Sequence, residues 1–415
     1  MTSKFEKADS VESSDEMRKG SNLAALFSIV CLIAGAGTLG MPYSFRRAGW
    51  VAALFIPLSG AVAWYTGKLI IECLYCQPGT RLNDYPSVGE AAFGKWGRRF
   101  VMVFHYAICL GVATLFIMLS GKNLHSFSMN HGLNLGERSW IAISGVAIFL
   151  PYALTRSMKE TKLMATLGVL TTVVTVLIAC GVGFSDLPRD TKHYPVNLEG
   201  VPTALATIGF SFGGTVIYTH VEGNMRHPKK WPQVLAMALG SVSLLYLLMG
   251  IVGYAVYGES VKSPILESLT PGYASDIAFI IITLHLIAAA PLPLTSFSSE
   301  VERQLCIDNT RFSPYSEFFV RLAMRTCIIV ALTLVAAFIP YFGDFMALVG
   351  ALSNLVLVYV TPVICHLQLF GWKNRSLATY FAMAICLLMG FFGGAWGAVD
   401  AITSIVKNFA TDHSL

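Results

Sequence analysis

The chain has little charge: 13% of its 415 residues are Asp, Glu, Lys or Arg, where a soluble globular protein has about 25%. Because 55% of the residues are hydrophobic, there is too little polar surface to cover a body of this size in water. The composition therefore excludes an ordinary water-soluble protein and indicates that the lipid bilayer is its solvent. The formal charge of +5 is distributed in short clusters between apolar segments, which marks membrane topology and gives no support for nucleic-acid binding.

The sequence also lacks the residue patterns of an enzyme or a metal site. Its nine cysteines lie mostly within apolar segments, Cys73 and Cys76 form its single CxxC, and no two histidines have His-x-x-x-His spacing. We therefore expect no catalytic residue, no metal and no cofactor. Rings of charge or repeated carbonyl filters, which a conducting pore needs, are not visible either, so a channel or receptor is the more distant alternative.

Apolar segments of about 20 residues, the length that crosses a bilayer as a helix, predict an all-α integral membrane protein. The polar residues 1–20 predict a disordered cytoplasmic tail, residues 21–400 a transmembrane domain and residues 401–415 a C-terminal tail. The predicted crossings number 11 and lie near 23–46, 50–75, 100–120, 139–155, 162–184, 201–223, 234–257, 274–299, 323–342, 344–370 and 377–399.

The basic residues are distributed unevenly between the two sides of these crossings. The N-terminal tail and every second loop hold 20 Lys and Arg, whereas the other loops and the C-terminal tail hold 8. Since cytoplasmic loops carry the excess of Lys and Arg, the N-terminus is predicted to be cytoplasmic and the C-terminus to face the other side.

Two of the predicted crossings are interrupted by small residues. The first carries three glycines between Gly35 and Gly40 followed by Pro42, and the sixth carries Gly209, Gly213 and Gly214. Glycine and proline disfavour a helix interior, and backbone groups freed by unwinding are tolerated in a membrane where they line a cavity. Close helix packing through small residues is the alternative interpretation of each cluster.

The positions of the two clusters are informative because the first and sixth helices correspond in a five-plus-five inverted repeat. We expect a first repeat over 23–184, a second over 201–370 and an extra helix over 377–399. Gly-interrupted helices at matching places in two halves indicate the substrate site of a secondary transporter. Helix N-termini suit a carboxylate and exposed carbonyls suit an ammonium group, so an amino acid is the predicted substrate.

Several stretches resemble the amino acid/auxin permease family of the amino acid-polyamine-organocation superfamily. They are IAGAGTLGMPYSFRRAGW at 33–50, YPSVGEAAFG at 85–94, which is similar to an inner loop of the family, and FSFGGTVIYTHVEGNMRHP at 210–228. The resemblance covers residues 22 to about 400 and implies a LeuT-like fold and proton- or sodium-coupled amino acid movement. These motifs are most similar to those of vacuolar-type members. The protein is therefore expected in a vacuolar or lysosomal membrane or in the plasma membrane.

The resemblance also implies which residues line the substrate site. The substrate carboxylate is expected at Gly35, Ala36, Gly37 and Thr38, and the wall from the sixth helix at Ser211, Phe212, Gly213 and Gly214. Gly40 and Thr215 are further candidate substrate-binding residues. Together with Tyr218, Phe212 is a candidate wall for the side chain of a neutral substrate.

The coupling ion is left open between a proton and sodium, with the proton preferred. Many relatives have a histidine where this chain has Thr215, so the coupling role of that histidine does not transfer. His285, in the eighth predicted crossing, is the candidate for proton exchange because histidine titrates near neutral pH. Thr295 and Ser296 supply the paired hydroxyls that a sodium ion would need.

Overall fold

The computed structural model describes residues 20–133, 135–154, 161–187, 191–307, 313–373 and 375–412. Of the predicted N-terminal tail, residues 1–19 lie outside the described residues. Within the described ranges the chain is helical apart from short connections and two isolated β-bridges. The α-helices are α1 Asn22–Ala48, α2 Ala52–Leu74, α3 Tyr85–Asn130, α4 Glu137–Leu154, α5 Thr161–Ser185, α6 Val201–Ser211, α7 Thr215–Asn224, α8 Trp231–Tyr257, α9 Tyr273–Ala289, α10 Pro291–Gln304, α11 Pro314–Phe338, α12 Phe342–Val349, α13 Thr361–Phe370, α14 Leu377–Phe391 and α15 Gly397–Asp412.

Polar residues mark where several of these helices begin. The side chains of Ser21, Asp84, Ser313 and Ser376 each accept a hydrogen bond from a backbone N–H in the first turn of α1, α3, α11 and α14. Such caps satisfy N–H groups that have no partner within the helix. The apolar segments and these local signals together explain why the helices lie close to their predicted positions.

Nine helices in the described part of the chain are long and apolar enough to cross a membrane. They are Asn22–Ala48, Ala52–Leu74, Tyr85–Asn130, Thr166–Ser185, Pro228–Ser260, Tyr273–Gln304, Tyr315–Phe338, Phe342–Phe370 and Leu377–Ala410. The two other predicted crossings coincide with α4, which has 18 residues, and with the pair α6 and α7. The count of eleven crossings and the cytoplasmic N-terminus therefore stay predictions.

Three predicted segments differ from the structure in their extent. Residues 85–94, expected in a loop, are the beginning of α3, which bends at Gly94, where φ is 65°. The predicted eighth crossing is divided into α9 and α10 at Pro291, because proline cannot donate to a helical hydrogen bond. The last helix continues to Asp412, beyond the predicted beginning of a tail at residue 401.

Helix α1 lies at the centre of the molecule. It packs against α5, α6 and α8, and its residues from Ile33 to Phe45 are buried. Helix α12 continues into α13 through two π-helical segments, Gly350–Asn354 and Val356–Val360, the first of which packs on α6. The glycine cluster of α1 and helix α6 are therefore packed among other helices.

Candidate substrate site

The interruption of α1 is narrower than its glycine cluster predicts. Within Asn22–Ala48, non-helical dihedrals occur at Gly35 alone, where φ is −53° and ψ is −106°, against about −42° for ψ in a regular helix. The unwinding expected within the cluster is therefore confined to Gly35. Gly37 and Gly40 remain helical, and neighbouring side chains leave no room for a Cβ at either position. A Cβ at Gly40 would lie 2.1 Å from Met346 Cε. Close packing explains these two glycines, and the break itself is at Gly35.

The sixth predicted crossing is divided completely, as its glycine cluster predicts. Helix α6 ends at Ser211, α7 begins at Thr215, and Phe212, Gly213 and Gly214 connect them. Gly214 has little space for a side chain, since a Cβ there would lie 2.5 Å from Tyr218 Cε1 and 2.7 Å from Ile33 Cδ1. The connection therefore passes close to the residues that precede the break in α1.

The two broken helices contact each other beside their breaks. A Cβ at Gly37 would lie 2.9 Å from Ser211 Cβ and 2.5 Å from Tyr246 Oη. Ala36, Gly37 and Thr38, which follow the break in α1, are all buried. The structure thus brings together the predicted carboxylate residues of α1 and the predicted wall at Ser211 and Gly214.

The backbone carbonyls that precede the breaks accept hydrogen bonds from side-chain hydroxyls. Thr38 Oγ1 donates to the Ala34 carbonyl four residues earlier. Tyr246 Oη, on α8, lies 2.6 Å from the Ile33 carbonyl oxygen and 2.7 Å from the Ser211 carbonyl oxygen. Tyr246 therefore contacts both breaks, and no motif in the sequence marks it as a site residue.

Aromatic side chains pack beside the second break. Phe212 is fully buried and packs edge-on against Tyr246, with 5.2 Å between ring centroids. Tyr218 packs in the same way on Trp231, at 5.4 Å. Within the described residues, the buried hydroxyls of Thr215 and Tyr218 have no hydrogen-bond partner. These two hydroxyls are available to a polar group of a ligand.

His285 lies at the break in α1. Its Nε2 is 3.4 Å from the position that a Cβ would take on Gly35, and its Cε1 is 2.6 Å from the position that a Cβ would take on Gly168. The side chain is buried, and Nε2 has no hydrogen-bond partner in the described part of the chain. The helix that carries His285 therefore faces the first break.

Thr295 and Ser296 do not present their hydroxyls as a pair. Thr295 is buried, and its Oγ1 has no hydrogen-bond partner among the described residues. Ser296 Oγ lies 3.5 Å from His105 Nε2 on α3. Adjacent helical residues point in different directions, so a sodium ion near Thr295 would need its other oxygen ligands from neighbouring helices.

Charged residues lie beyond the breaks, towards the two ends of the helices. Glu222, near the end of α7, is fully buried and accepts hydrogen bonds from Arg81 Nε at 2.9 Å and Tyr75 Oη at 2.5 Å. At the opposite end, Tyr43 Oη donates to Asp344 at 2.6 Å, and Arg47 pairs with Asp400 at 2.8 Å.

A cavity of about 610 Å³ opens at that second end, beyond Tyr43. Its wall carries both signs of charge, and Lys122 at its edge pairs with Glu137 and Glu267. Burial raises the pKa of the Glu267 carboxyl, which lies in a connection outside the long helices, and the Lys122 ammonium opposes that shift. The charged residues that line the cavity are Arg46, Arg47, Lys122, Glu199, Glu259, Lys262, Asp344, Asp400 and Lys407.

A family profile described as transmembrane amino acid transporter protein matches residues 18–403. The chain belongs to this family of transporters. Among its relatives from Arabidopsis thaliana, amino acid transporter AVT1I is 27% identical over 94% of this chain and 97% of the relative. Amino acid transporter AVT1B is 26% identical over 92% of this chain and 70% of the relative. The family resemblance that the motifs carry is confirmed, and the chain is a multi-pass membrane protein of a transporter family and not an enzyme.

Solved structures show the same fold at low sequence identity. Mhp1, a nucleobase-cation-symport-1 family transporter in a closed conformation, superposes with a TM-score of 0.58 at 11% identity, covering 95% of this chain and 94% of that one. MhsT in complex with L-phenylalanine has a TM-score of 0.54 at 13% identity, covering 92% and 98% of the two chains. The fold of this member of the amino acid transporter family is therefore LeuT-like, as predicted.

Proposed function

We propose that this member of the family is a secondary active transporter that moves neutral amino acids by alternating access around the two breaks. The observation that carries the proposal is that the two broken helices meet beside their breaks: Gly37 adjoins Ser211, and Ile33 adjoins Gly214. Freed N–H groups at the beginning of a half-helix suit the substrate carboxylate, and the carbonyls of Ile33 and Ser211 suit its ammonium group.

The surroundings of the breaks support a neutral substrate side chain. The groups in contact there are hydroxyls, aromatic rings, aliphatic side chains and the imidazole of His285. The nearest carboxylate on α7, Glu222, is already paired with Arg81. Among the described residues, a charged substrate side chain would therefore lack an opposite charge at this buried position, which is costly.

We propose a proton as the coupling ion, with His285 as the group that exchanges it. The imidazole adjoins the break at Gly35, so a change in its charge would act directly on the backbone that receives the substrate. Sodium coupling through Thr295 is the second candidate, because its hydroxyl is buried without a partner in the described residues.

Uptake by proteoliposomes that contain the purified protein tests the proposal. Radiolabelled neutral amino acids should accumulate when a pH gradient is imposed, and labelled lysine and glutamate should not. A sodium gradient of equal size without a pH difference should drive little uptake. Accumulation under sodium alone would replace the proton with sodium, and the absence of uptake for every amino acid would contradict the proposed function.

A further inference from the structure

One side chain of α8 contacts both breaks at once. The phenol oxygen of Tyr246 lies 2.6 Å from the Ile33 carbonyl oxygen and 2.7 Å from the Ser211 carbonyl oxygen. The side chain is fully buried, and its ring packs edge-on against Phe212. Its position is therefore well determined by its surroundings, and its oxygen lies where the two half-helices end.

The hydrogen-bonding capacity of a phenol does not match this position. A tyrosine hydroxyl has one proton, so it can donate to one of the two carbonyls at a time, and the other carbonyl then faces a lone pair. An ammonium group has three N–H donors and can donate to both carbonyls together. A substrate ammonium and the Tyr246 hydroxyl would consequently compete for the same two oxygens.

We propose that Tyr246 is a positioning residue whose hydroxyl replaces the substrate ammonium at the Ile33 and Ser211 carbonyls whenever no substrate is bound there. A buried carbonyl without a donor is unfavourable, so the hydroxyl allows the two breaks to close on each other when no substrate is bound. Closure without substrate is the step by which the unloaded transporter returns to its starting conformation. This role rests on the proposed function, since it assumes an amino acid substrate bound at the breaks.

The role predicts different effects on two modes of transport. Net uptake into vesicles that contain no substrate requires the unloaded carrier to return in each cycle, whereas exchange of internal for external substrate does not. Without the hydroxyl, the loaded carrier still has the ammonium donors, but the unloaded carrier has none. Loss of the hydroxyl should therefore slow net uptake and spare exchange.

The test uses Tyr246→Phe, which removes the hydroxyl and keeps the ring against Phe212. Net uptake should fall about tenfold, equivalent to ~1.4 kcal/mol, while exchange stays within about twofold of wild type after correction for protein amount. Tyr254→Phe is the matched control, because Tyr254 is a buried tyrosine of the same helix whose hydroxyl contacts Tyr194 N and Glu259. Both modes should be unchanged in that control.

Thermal unfolding provides a second readout if the variant inserts poorly. Tyr246→Phe should lower Tm in the absence of a neutral amino acid, and saturating substrate should remove most of that difference. An equal loss of net uptake and exchange, or no loss of either, would overturn the role of Tyr246 and leave the proposed function intact. A wild-type protein that neither takes up nor exchanges an amino acid would overturn both.

Discussion

At Gly37 the contact between the two broken helices leaves no room for a side chain. A Cβ there would lie 2.5 Å from Tyr246 Oη and 2.9 Å from Ser211 Cβ, both below van der Waals distance. The Tyr246 ring is fully buried and cannot retreat without disturbing Phe212. The absence of a side chain at this position is therefore required for the two breaks to meet.

Gly37→Val should consequently reduce uptake at least about tenfold, because the added side chain separates α1 from α6. Uptake per amount of reconstituted protein measures the effect. Gly240→Val is the matched control, since Gly240 is exposed on α8 and no atom of the described residues lies within 4 Å of an added Cβ. Near-normal uptake by Gly37→Val would contradict the assignment of the site.

His285→Gln should separate the coupling of transport to a pH gradient from the movement of substrate across the membrane. Glutamine keeps hydrogen bonding and approximate size but removes the titration, so accumulation driven by a pH gradient should fall at least about fivefold while substrate exchange survives. Thr295→Ala should have little effect in the same assay. Three results together would contradict the proton proposal: Thr295→Ala abolishes accumulation, a sodium gradient drives uptake, and His285→Gln has no effect. His285 would then be a structural histidine.

At the scale of elements, α7 is held at its far end by Glu222. Its carboxylate is fully buried and accepts from Arg81 in the connection between α2 and α3, and Arg81 also donates to the Thr219 carbonyl. Gly20 and Met225 form an isolated bridge at the same end. The half-helix after the second break is thus attached to two other parts of the chain.

Arg81→Ala should destabilise the protein by about 3–5 kcal/mol, because it leaves a buried carboxylate without its cation. The double variant Arg81→Ala/Glu222→Gln should recover part of the loss, as measured by thermal unfolding in detergent. Arg303→Ala, which removes a pair with 61% exposure on the arginine side, should change stability by no more than about 1 kcal/mol. Equal losses for Arg81→Ala and the double variant would argue against this role of the ion pair.

The elements also show what the sequence can and cannot predict. The breaks at Gly35 and at Phe212–Gly214 lie in glycine clusters, because backbone preference is a local property. The first cluster predicts a longer break than the structure contains, because Gly37 and Gly40 allow close helix packing. That packing depends on Tyr246 and Met346, which come from distant segments of the chain. Tyr246 could not be predicted from the sequence because its hydrogen-bond partner Ile33 is separated from it by 213 positions along the chain.

At the scale of the whole molecule, the topology is open to a direct test. An epitope before Asn22 should be accessible from the cytosol only, and one after Leu415 from the opposite side only, because an odd number of crossings separates the termini. The distribution of 20 against 8 basic residues is the basis of this expectation. Detection of both epitopes from the same side would contradict the count of eleven.

The central claim is that the substrate lies where the two broken helices meet. An experimental structure determined with a neutral amino acid transported by this protein tests it most directly. The account predicts density between Gly35 and Gly214, with the substrate ammonium within hydrogen-bond distance of the Ile33 and Ser211 carbonyls and the Tyr246 hydroxyl displaced from at least one of them. Density confined to the charged cavity beyond Tyr43, with both Tyr246 contacts unchanged, would contradict it.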